Sequence, residues 1–429
     1  MSESRDLAAV VMAGGLGTRM RSSLAKHLHP LLGRRVVDWV LDAARGAGAD
    51  PVVVVASPDT ADRYEGMTVA VQNEPLGTGD AVASARLALQ GFEGDVLVLD
   101  AAAPLLAAHY LDRLVGEHRG LGAAVTILSF ESTRPLPYGR VVRGADGDVQ
   151  SIVEEKDATA EQRAIRELNS SIYVFRPEAL WDALGKLDAR NAQGELYLTD
   201  TIEHIVAAGG RAGAWLCPDE EATLGINTRA ELAIAAAVLR DRINEAHMLA
   251  GVTIVDPATT WIEPDVEIEA DATIQPFSVI RGPSRIEAGA EIGPFAYIRP
   301  GTTVGSSAKV GTFVEVKAST IGARSKVPHS SYIGDAEIGE DTNIAAGNIT
   351  ANFKHAGGPK ARTRIGNNVR TGVDNVFNAP VEVGDDAWIA PGTVITDDVP
   401  EGSLAGFPPR QVTKEGWVYE KRGRRDDDN

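Results

Sequence analysis

The hydrophobic positions of this 429-residue chain follow two different periods, and the period changes near residue 251. Before that point, short β-branched runs alternate with stretches of helical period. Such alternation is typical of an α/β layer fold with a largely parallel sheet. It predicts strands at 7–13, 51–57, 95–100 and 123–129, helices at 36–45, 79–89, 110–118 and 177–187, and hairpin-rich β structure at 138–175.

A long helical stretch, 228–249, separates this part from a different pattern. Beyond Gly251, aliphatic residues recur at a spacing of six, in strict register from Ile262 to Val316; after two slips and a break at 351–363, the repeat resumes. An amphipathic helix cannot hold a period of six, whereas the stacked coils of a parallel β-helix bury one aliphatic row in this way. The chain is therefore predicted to contain an α/β domain at 1–227, a linker helix at 228–250 and a β-helix with a C-terminal tail at 251–429.

Composition agrees with this prediction and narrows the chemistry. Glycine makes up 44 of 429 residues and aromatic residues only 5%, as expected for many tight turns around a narrow interior. Lysine and arginine number 42 against 60 acidic residues, and the resulting net charge of −18 disfavours nucleic acid and anionic lipid as partners. A phosphorylated substrate then needs local cations, backbone N–H groups or a metal.

The few cysteines and histidines limit the possible metal and redox chemistry. The single cysteine, Cys217, excludes an internal disulfide and a cysteine-based zinc site, and it is expected to be buried. His27 and His29 are expected to be packing residues. No apolar run approaches the ~18 residues of a membrane span, which predicts a cytoplasmic protein with no membrane partner.

A glycine-rich loop with two nearby cations is the first candidate site. Gly14, Gly15 and Gly17 follow the first predicted strand, with Arg19 and Lys26 just beyond. Glycines let backbone N–H groups approach a phosphate, and the cations supply charge that the acidic chain lacks elsewhere. The loop is neither a Walker A loop nor the usual dinucleotide fingerprint. Because glycines alone also make plain turns, the prediction of a phosphate site depends on the two cations.

Several segments together resemble the nucleotide-sugar pyrophosphorylases: 13–19 with Lys26, 72–79, 138–140, 152–159, 167–169, 191–200 and 225–227. Within that family they are most similar to the bifunctional N-acetylglucosamine-1-phosphate uridyltransferases/glucosamine-1-phosphate acetyltransferases, over nearly the whole chain. The resemblance implies a Rossmann-like nucleotidyltransferase domain followed by a left-handed β-helix of hexapeptide repeats. It also implies acetyl-CoA-dependent N-acetylation of glucosamine-1-phosphate, then UTP-dependent uridyl transfer to give UDP-N-acetylglucosamine for cell-wall precursors.

The resemblance assigns a first site to the α/β domain. Arg19 and Lys26 would be catalytic residues that stabilise charge on the transferring phosphates. The nucleotide and sugar would contact Met12, Ala13, Gly14, Gly15, Lys26, Gln72, Gly77, Thr78, Gly139, Glu154, Asn169, Tyr197 and Asn227. Because a sugar phosphate oxygen attacks the α-phosphorus directly, positioning and electrostatics can supply most of the catalysis.

The resemblance assigns a second site to the β-helix. His329 would be the general base that deprotonates the sugar 2-amine for attack on acetyl-CoA. Without the resemblance, a lone histidine on a coil is more simply a structural residue. The acceptor and coenzyme would contact Arg299, Lys317, Tyr332, Asn343, Ala346, Asn352, Phe353 and Lys360. Acyltransferases of this kind are trimers with sites between neighbouring subunits, so the resemblance also implies a homotrimer.

Two departures from the family pattern leave alternatives open. The family holds Mg²⁺ with an aspartate that is Ala102 here, paired with Asn227. Asp100 lies about 6–7 Å deeper along an extended strand and is otherwise a turn residue, as Asn227 is otherwise a helix N-cap. The coenzyme loop reads Asn-Phe-Lys-His at 352–355, and Val373 replaces a serine that usually contacts the coenzyme.

These departures leave three functions to be weighed. The first is the bifunctional enzyme. The second is an acetyltransferase whose α/β domain has lost its metal site and serves as a nucleotide- or sugar-binding module. The third is a non-catalytic scaffold, against which the retained His329, Arg299 and Lys317 argue.

Overall fold

The computed structural model describes residues 6–15, 17–353, 358–406 and 412–422. Contacts divide the chain into two units, Met1–Leu239 and Arg240–Asn429, and each is described by itself. In the described parts of the chain, no helix is long and apolar enough to cross a membrane. The C-terminal residues 424–429 of the predicted tail lie outside the described residues.

The first unit is an α/β layer structure. Its strands are β1 Leu7–Ala13, β2 Pro30–Leu31, β3 Arg34–Arg35, β4 Val52–Ala56, β5 Thr68–Val71, β6 Asp95–Asp100, β7 Val125–Glu131, β8 Arg140–Arg143, β9 Val149–Val153, β10 Glu167–Phe175 and β11 Ala212–Leu216. Its helices are α1 Val36–Gly46, α2 Thr78–Ser84, α3 Ala108–Leu121, α4 Ala160–Arg163, α5 Pro177–Leu184, α6 Asp200–Ala207 and α7 Arg229–Leu249, the last of which crosses into the second unit.

The main sheet has the order β11-β7-β10-β6-β1-β4-β5, with the β8–β9 hairpin attached to β10. Strands β4 and β6 run parallel to β1, whereas β10 runs antiparallel to β6 and β7. Side chains of β1 alternate between two buried clusters, one containing Val11 and the other Val10. Burial on both faces explains why the central strands are continuously apolar.

The predicted elements of this unit are mostly confirmed. Strands 7–13 and 95–100 have the predicted bounds, and Cys217, His27 and His29 are buried. Burial lowers the pKa of His27 to about 4, in keeping with a packing role. The helix predicted at 79–89 is wrong in its second half. The helix ends at Ser84. Beyond it, the backbone hydrogen bonds run from residue i to residue i−3, as in a 3₁₀ turn, and further turns follow.

The second unit is a left-handed parallel β-helix with three faces. Its strands are β12 Thr253–Ile254, β13 Trp261–Ile262, β14 Val266–Ile268, β15 Thr273–Ile274, β16 Val279–Ile280, β17 Ser284–Ile286, β18 Glu291–Ile292, β19 Tyr297–Ile298, β20 Thr302–Val304, β21 Lys309–Thr312, β22 Glu315–Lys317, β23 Thr320–Ile321, β24 Lys326–His329, β25 Tyr332–Gly334, β26 Ala336–Ile338, β27 Ile349–Ala351, β28 Thr363–Ile365, β29 Arg370–Thr371, β30 Val376–Asn378, β31 Val381–Val383, β32 Trp388–Ile389, β33 Val394–Ile395 and β34 Leu404–Ala405. A short helix, α8 Trp417–Arg422, follows.

The six-residue period is the register of this β-helix. Ile262 pairs with Ile280 and Ile280 with Ile298, each one coil further along the chain. The aliphatic row is buried in a single core cluster that runs from Val252 to Val399. Most strands thus contribute one inward aliphatic side chain, and the predicted β-helix is confirmed.

Candidate functional site

A cavity of about 360 Å³ opens in the first unit, near the carboxyl ends of β1 and β6. The strand order switches direction here, since β4 and β5 lie on one side of β1 and β6 on the other. Open α/β sheets bind ligands at such switch points. The predicted residues in its wall are Arg19, Lys26, Asp100, Gly139, Glu154, Asn169 and Asn227.

The two predicted catalytic cations both face this cavity. Arg19 Nη2 donates to Asn227 Oδ1 at 2.9 Å, and Lys26 Nζ lies 3.6 Å from Asp100 Oδ2. A guanidinium has five N–H donors and an ammonium three, so each keeps donors for an anionic ligand. Leu16, within the predicted phosphate loop, lies outside the described residues.

The cavity wall also carries polar groups in fixed orientations. Glu154 accepts from Thr199 Oγ1 at 3.1 Å, and burial raises the pKa of its carboxyl. Asn169 Oδ1 accepts from the Ser171 backbone N–H at 3.1 Å, while its Nδ2 donates to Tyr173 Oη at 2.7 Å. A backbone N–H can only donate, which fixes the Asn169 amide and leaves one N–H for a sugar hydroxyl.

The Gln72 side chain bonds to the segment that begins α2 and lies against the loop that follows β1. Its Nε2 donates to the Gly77 carbonyl at 3.0 Å and to Asp80 Oδ2 at 2.9 Å. A Cβ added at Gly14 would lie 2.5 Å from Gln72 Oε1, so the loop passes directly over this amide. The glycine therefore permits a close approach that any side chain would block.

The structure does not bring the other predicted nucleotide residues into the cavity wall. Thr78 Oγ1 accepts from Leu198 N at 3.0 Å, and Tyr197 Oη donates to Asp157 Oδ2 at 3.4 Å. Among the described residues, the predicted ones outside the cavity wall are Met12, Ala13, Gly14, Gly15, Gln72, Gly77, Thr78 and Tyr197.

The resemblance implies a bound Mg²⁺, but the residues of this cavity do not fit it. Asp100 Oδ1 accepts from Ala102 N at 3.0 Å, as a turn residue does, and its other oxygen faces Lys26. The Asn227 amide oxygen faces Arg19, and the fully buried Ala102 offers no ligand. Within residues 6–15, 17–353, 358–406 and 412–422, no three His, Cys, Asp or Glu side chains are grouped to hold a metal. Proteins usually hold Mg²⁺ through one or two free carboxylates.

A second polar cluster lies on the β-helix, where β22, β25 and β27 run side by side. Lys317 Nζ lies 3.4 Å from Asp335 Oδ2. Asn352 Nδ2 donates to the same oxygen of Asp335 and, at 3.4 Å, to Tyr332 Oη. The structure thus brings three predicted residues together around Asp335, a carboxylate that sequence reasoning missed.

The predicted general base and second cation flank this cluster. His329 ends β24 and is exposed, three residues before Tyr332 and across a left-handed corner at Ser330 (φ 40°). Arg299 follows β19, and its Nη1 donates to Glu315 Oε1 at 2.8 Å. Exposure gives His329 the access to solvent and acceptor that a general base needs.

The remaining predicted residues are spread along later coils. Asn343 bridges two coils between Lys326 and Arg370. The Ala346 carbonyl accepts from the backbone N–H of the next coil at 2.8 Å. Phe353 and Lys360 are exposed on either side of the coil interruption, and Lys354 and His355 lie outside the described residues.

The fold and the two sites define a class of protein: a transferase that joins a nucleotidyltransferase α/β unit to a β-helix of hexapeptide repeats. Residues 9–196 match the family of MobA-like NTP transferase domains.

The chain belongs to the family of bifunctional GlmU proteins. It is 43% identical to the bifunctional protein GlmU of Pelobacter propionicus over 452 aligned residues, which cover 96% of this chain and 98% of the relative. The identity is 45% with that of Kineococcus radiotolerans, covering 97% and 92%, and 42% with that of Corynebacterium glutamicum, covering 97% and 94%. The predicted family, fold class and bifunctional transferase are confirmed.

Proposed function

We propose that the β-helix unit transfers the acetyl group of acetyl-CoA to the 2-amine of glucosamine-1-phosphate. The observation that carries this proposal is the cluster of Lys317, Tyr332 and Asn352, with the exposed His329 three residues from Tyr332. Lys317 and Arg299 offer cations to the sugar phosphate. Tyr332 and Asn352 offer polar groups to the sugar ring and the coenzyme.

The proposed acetyl transfer needs one general base. The neutral amine attacks the thioester carbonyl carbon, and His329 takes the proton that the nitrogen loses as the C–N bond forms. The C–S bond then breaks, and the coenzyme A thiolate leaves and takes up a proton. A positioned base contributes about 10²–10⁴-fold to such a rate.

Gly334→Ala should disturb this site without changing its charge. An added Cβ would overlap the Tyr332 hydroxyl and lie 2.7 Å from Asn352 Nδ2, so both side chains must move. Because Tyr332 and Asn352 are displaced from the proposed site, kcat/KM for acetyl transfer should fall roughly 10-fold, measured by thiol release. UTP binding by the same variant is the control. An unchanged acetyl-transfer rate would contradict the placement of Tyr332 in the site.

For the first unit, we propose uridyl transfer from UTP to N-acetylglucosamine-1-phosphate. The sugar phosphate oxygen attacks the α-phosphorus, and the P–O bond to pyrophosphate breaks, without a covalent intermediate. Arg19 and Lys26 face the cavity and would stabilise the developing charge. Glu154 and Asn169 would hold the sugar. UTP and acetyl-CoA are thus the proposed co-substrates. The residues of the cavity are expected to bind Mg²⁺ only weakly.

A second candidate function follows from the buried Ala102. In it, the first unit binds a uridine nucleotide or sugar phosphate through Arg19 and Lys26, and catalysis is confined to acetyl transfer. Two assays on the intact protein separate the candidates: thiol release with glucosamine-1-phosphate, and pyrophosphate release with UTP, Mg²⁺ and N-acetylglucosamine-1-phosphate. Pyrophosphate release supports the bifunctional enzyme. Thiol release alone supports the second candidate, and neither release refutes both.

The outer surface of the β-helix supports the proposed homotrimer. One sheet face carries a mostly apolar outward row, formed by Trp261, Val279, Tyr297, Glu315, Tyr332, Ile349, Val376 and Val394. At its edge, exposed Phe277, Phe295 and Phe313 stack with ring centroids 4.8 and 5.3 Å apart. By contrast, another face carries charges paired along the coils, such as Arg364 with Glu382 at 2.9 Å. An apolar row beside the acetyl site suits a neighbouring subunit of the same chain.

Phe295→Asp should therefore dissociate the trimer. Phe295 sits at a left-handed corner (φ 55°), a conformation that aspartate adopts readily, so the backbone should not change. We expect monomers in analytical ultracentrifugation and a loss of acetyl transfer. Ser307→Asp, at a left-handed corner of the adjacent face (φ 55°), is the matched control and should stay trimeric. A trimeric Phe295→Asp protein would contradict this interface.

The domain boundaries and compartment remain part of the proposal. The functional division is a nucleotidyltransferase domain at 1–227, a linker helix at 228–250 and an acetyltransferase domain at 251–429. The proposed substrates are small phosphorylated molecules, and no nucleic acid or membrane partner is proposed. The proposed compartment is the cytoplasm, where UTP and acetyl-CoA are made.

A further inference from the structure

Asp335 lies at the centre of the β-helix cluster, between groups assigned to different substrates. Its Oδ2 is 3.4 Å from Lys317 Nζ, on the side proposed for the acceptor phosphate. The same oxygen accepts from Asn352 Nδ2, on the side proposed for the coenzyme. Only 18% of the Asp335 side chain is exposed, so water screens these contacts weakly. One carboxylate thus connects the two sides of the site.

The backbone holds this carboxylate in place. Asp335 occupies a left-handed corner (φ 52°) directly after β25. Its N–H donates to the Lys317 carbonyl of the preceding coil at 2.9 Å, and its carbonyl accepts from Thr363 N of the following coil at 3.3 Å. The corner is therefore fixed to both neighbouring coils, and the side chain extends from a rigid base.

The charges around Asp335 explain what its carboxylate does. Hydrogen bonding with Lys360 and the attraction of Asp335 raise the pKa of Lys317. The same contact with Lys317 lowers the pKa of Lys360. Lys317 therefore keeps its charge beside a second amine, and Asp335 is the anion that offsets the repulsion between them.

Left-handed corner aspartates are common in this β-helix, so a simple turn role must be weighed. Asp341 occupies an equivalent corner (φ 54°), and its carboxylate pairs with exposed Arg324 at 2.8 Å. The backbone needs are the same at both corners. The difference is that the carboxylate of Asp335 holds two residues of the proposed site.

We propose that Asp335 is a positioning residue for acetyl transfer, setting Lys317 for the acceptor phosphate and Asn352 for the coenzyme at the same time. This inference rests on the proposed acetyltransferase function. The carboxylate fixes both partners through charge-assisted hydrogen bonds before either substrate arrives. Its removal should weaken the binding of both substrates more than it slows the chemical step.

Asp335→Asn tests the inference with little backbone strain, since asparagine also adopts the left-handed conformation. We expect the KM for glucosamine-1-phosphate and the KM for acetyl-CoA each to rise about 10-fold, with kcat within about 3-fold of wild type. The matched control is Asp341→Asn, which removes a corner carboxylate that pairs with an arginine away from the site; both KM values should be unchanged. Steady-state thiol release measures the two KM values and kcat of each protein, and thermal unfolding reports stability.

A double-mutant cycle separates positioning from a structural role. Asn352→Ala should raise the KM for acetyl-CoA. In the double variant Asp335→Asn/Asn352→Ala, the total rise in this KM should be much smaller than the product of the two single-variant rises. Normal KM values in Asp335→Asn, with or without lower stability, would overturn the inference and leave the proposed function standing. A wild-type chain without acetyl transfer would overturn the proposed function itself.

If Asp335→Asn does not fold, Asn352→Ala decides. It leaves the pair between Asp335 and Lys317 intact, so only the KM for acetyl-CoA should rise. An unchanged KM for acetyl-CoA would then overturn the inference, because Asp335 would have no coenzyme-side residue to position.

Discussion

Acetyl transfer is expected to fall about 10²–10⁴-fold in His329→Ala, while the fold stays intact. His329 is exposed at the end of β24, so its removal leaves no cavity in the core. Without the imidazole, no group at this position takes the proton from the amine as the C–N bond forms. Stopped-flow or steady-state assays of thiol release with acetyl-CoA and glucosamine-1-phosphate measure the effect.

Two controls accompany His329→Ala. Lys326→Ala removes another exposed side chain from the same strand and should retain the wild-type rate. Thermal unfolding should coincide for wild type and both variants. If His329→Ala keeps the full acetyl-transfer rate, histidine is not the general base, and the assignment of the β-helix site is wrong.

Ala102→Asp is expected to give the first unit the tight Mg²⁺ binding that the residues of the wild-type cavity do not supply. Ala102 is fully buried, packed among apolar residues that include Met20, Leu105 and Ile226. An aspartate there should lower the free energy of unfolding of the first unit by about 2 kcal/mol, because a carboxylate is buried without a partner. With Mg²⁺ and UTP present, the carboxylate gains a cation, and pyrophosphate release at limiting Mg²⁺ should rise roughly 10–100-fold.

The stability measurement tests this prediction independently of activity. In the presence of UTP, added Mg²⁺ should raise the unfolding temperature of the first unit more in Ala102→Asp than in wild type. Ala103→Asp places the same charge one residue further along, in the cavity wall, and should not tighten Mg²⁺ binding. If wild type already saturates with Mg²⁺ as tightly as Ala102→Asp, the conclusion that its residues do not fit the metal is wrong.

The β-helix could be predicted from the sequence because its period is its register. Ile262, Ile280 and Ile298 pair in adjacent coils. The spacing of the aliphatic residues along the chain therefore indicates which row is buried. The strand order of the α/β unit was harder to predict from the sequence. The antiparallel strand β10 enters the middle of the main sheet, and nothing local in its sequence distinguishes that position from an edge.

The site residues also differ in how far the sequence alone could predict them. Arg19 and Lys26 follow a glycine-rich loop, a local signal that predicted cations near a ligand, and the structure places both in one cavity wall. Asp335 carried no such signal, because Asp341 and other corner aspartates look the same along the chain. Its role depends on side chains that come from neighbouring coils, which only the fold brings together.

The most direct test of the account supplies the wild-type chain with glucosamine-1-phosphate, acetyl-CoA, UTP and Mg²⁺ and follows the products by mass spectrometry. We expect rapid formation of N-acetylglucosamine-1-phosphate, followed by slower conversion to UDP-N-acetylglucosamine that speeds up as Mg²⁺ is raised. Failure to form the N-acetylated sugar, or uridyl transfer that is fast at trace Mg²⁺, would contradict it.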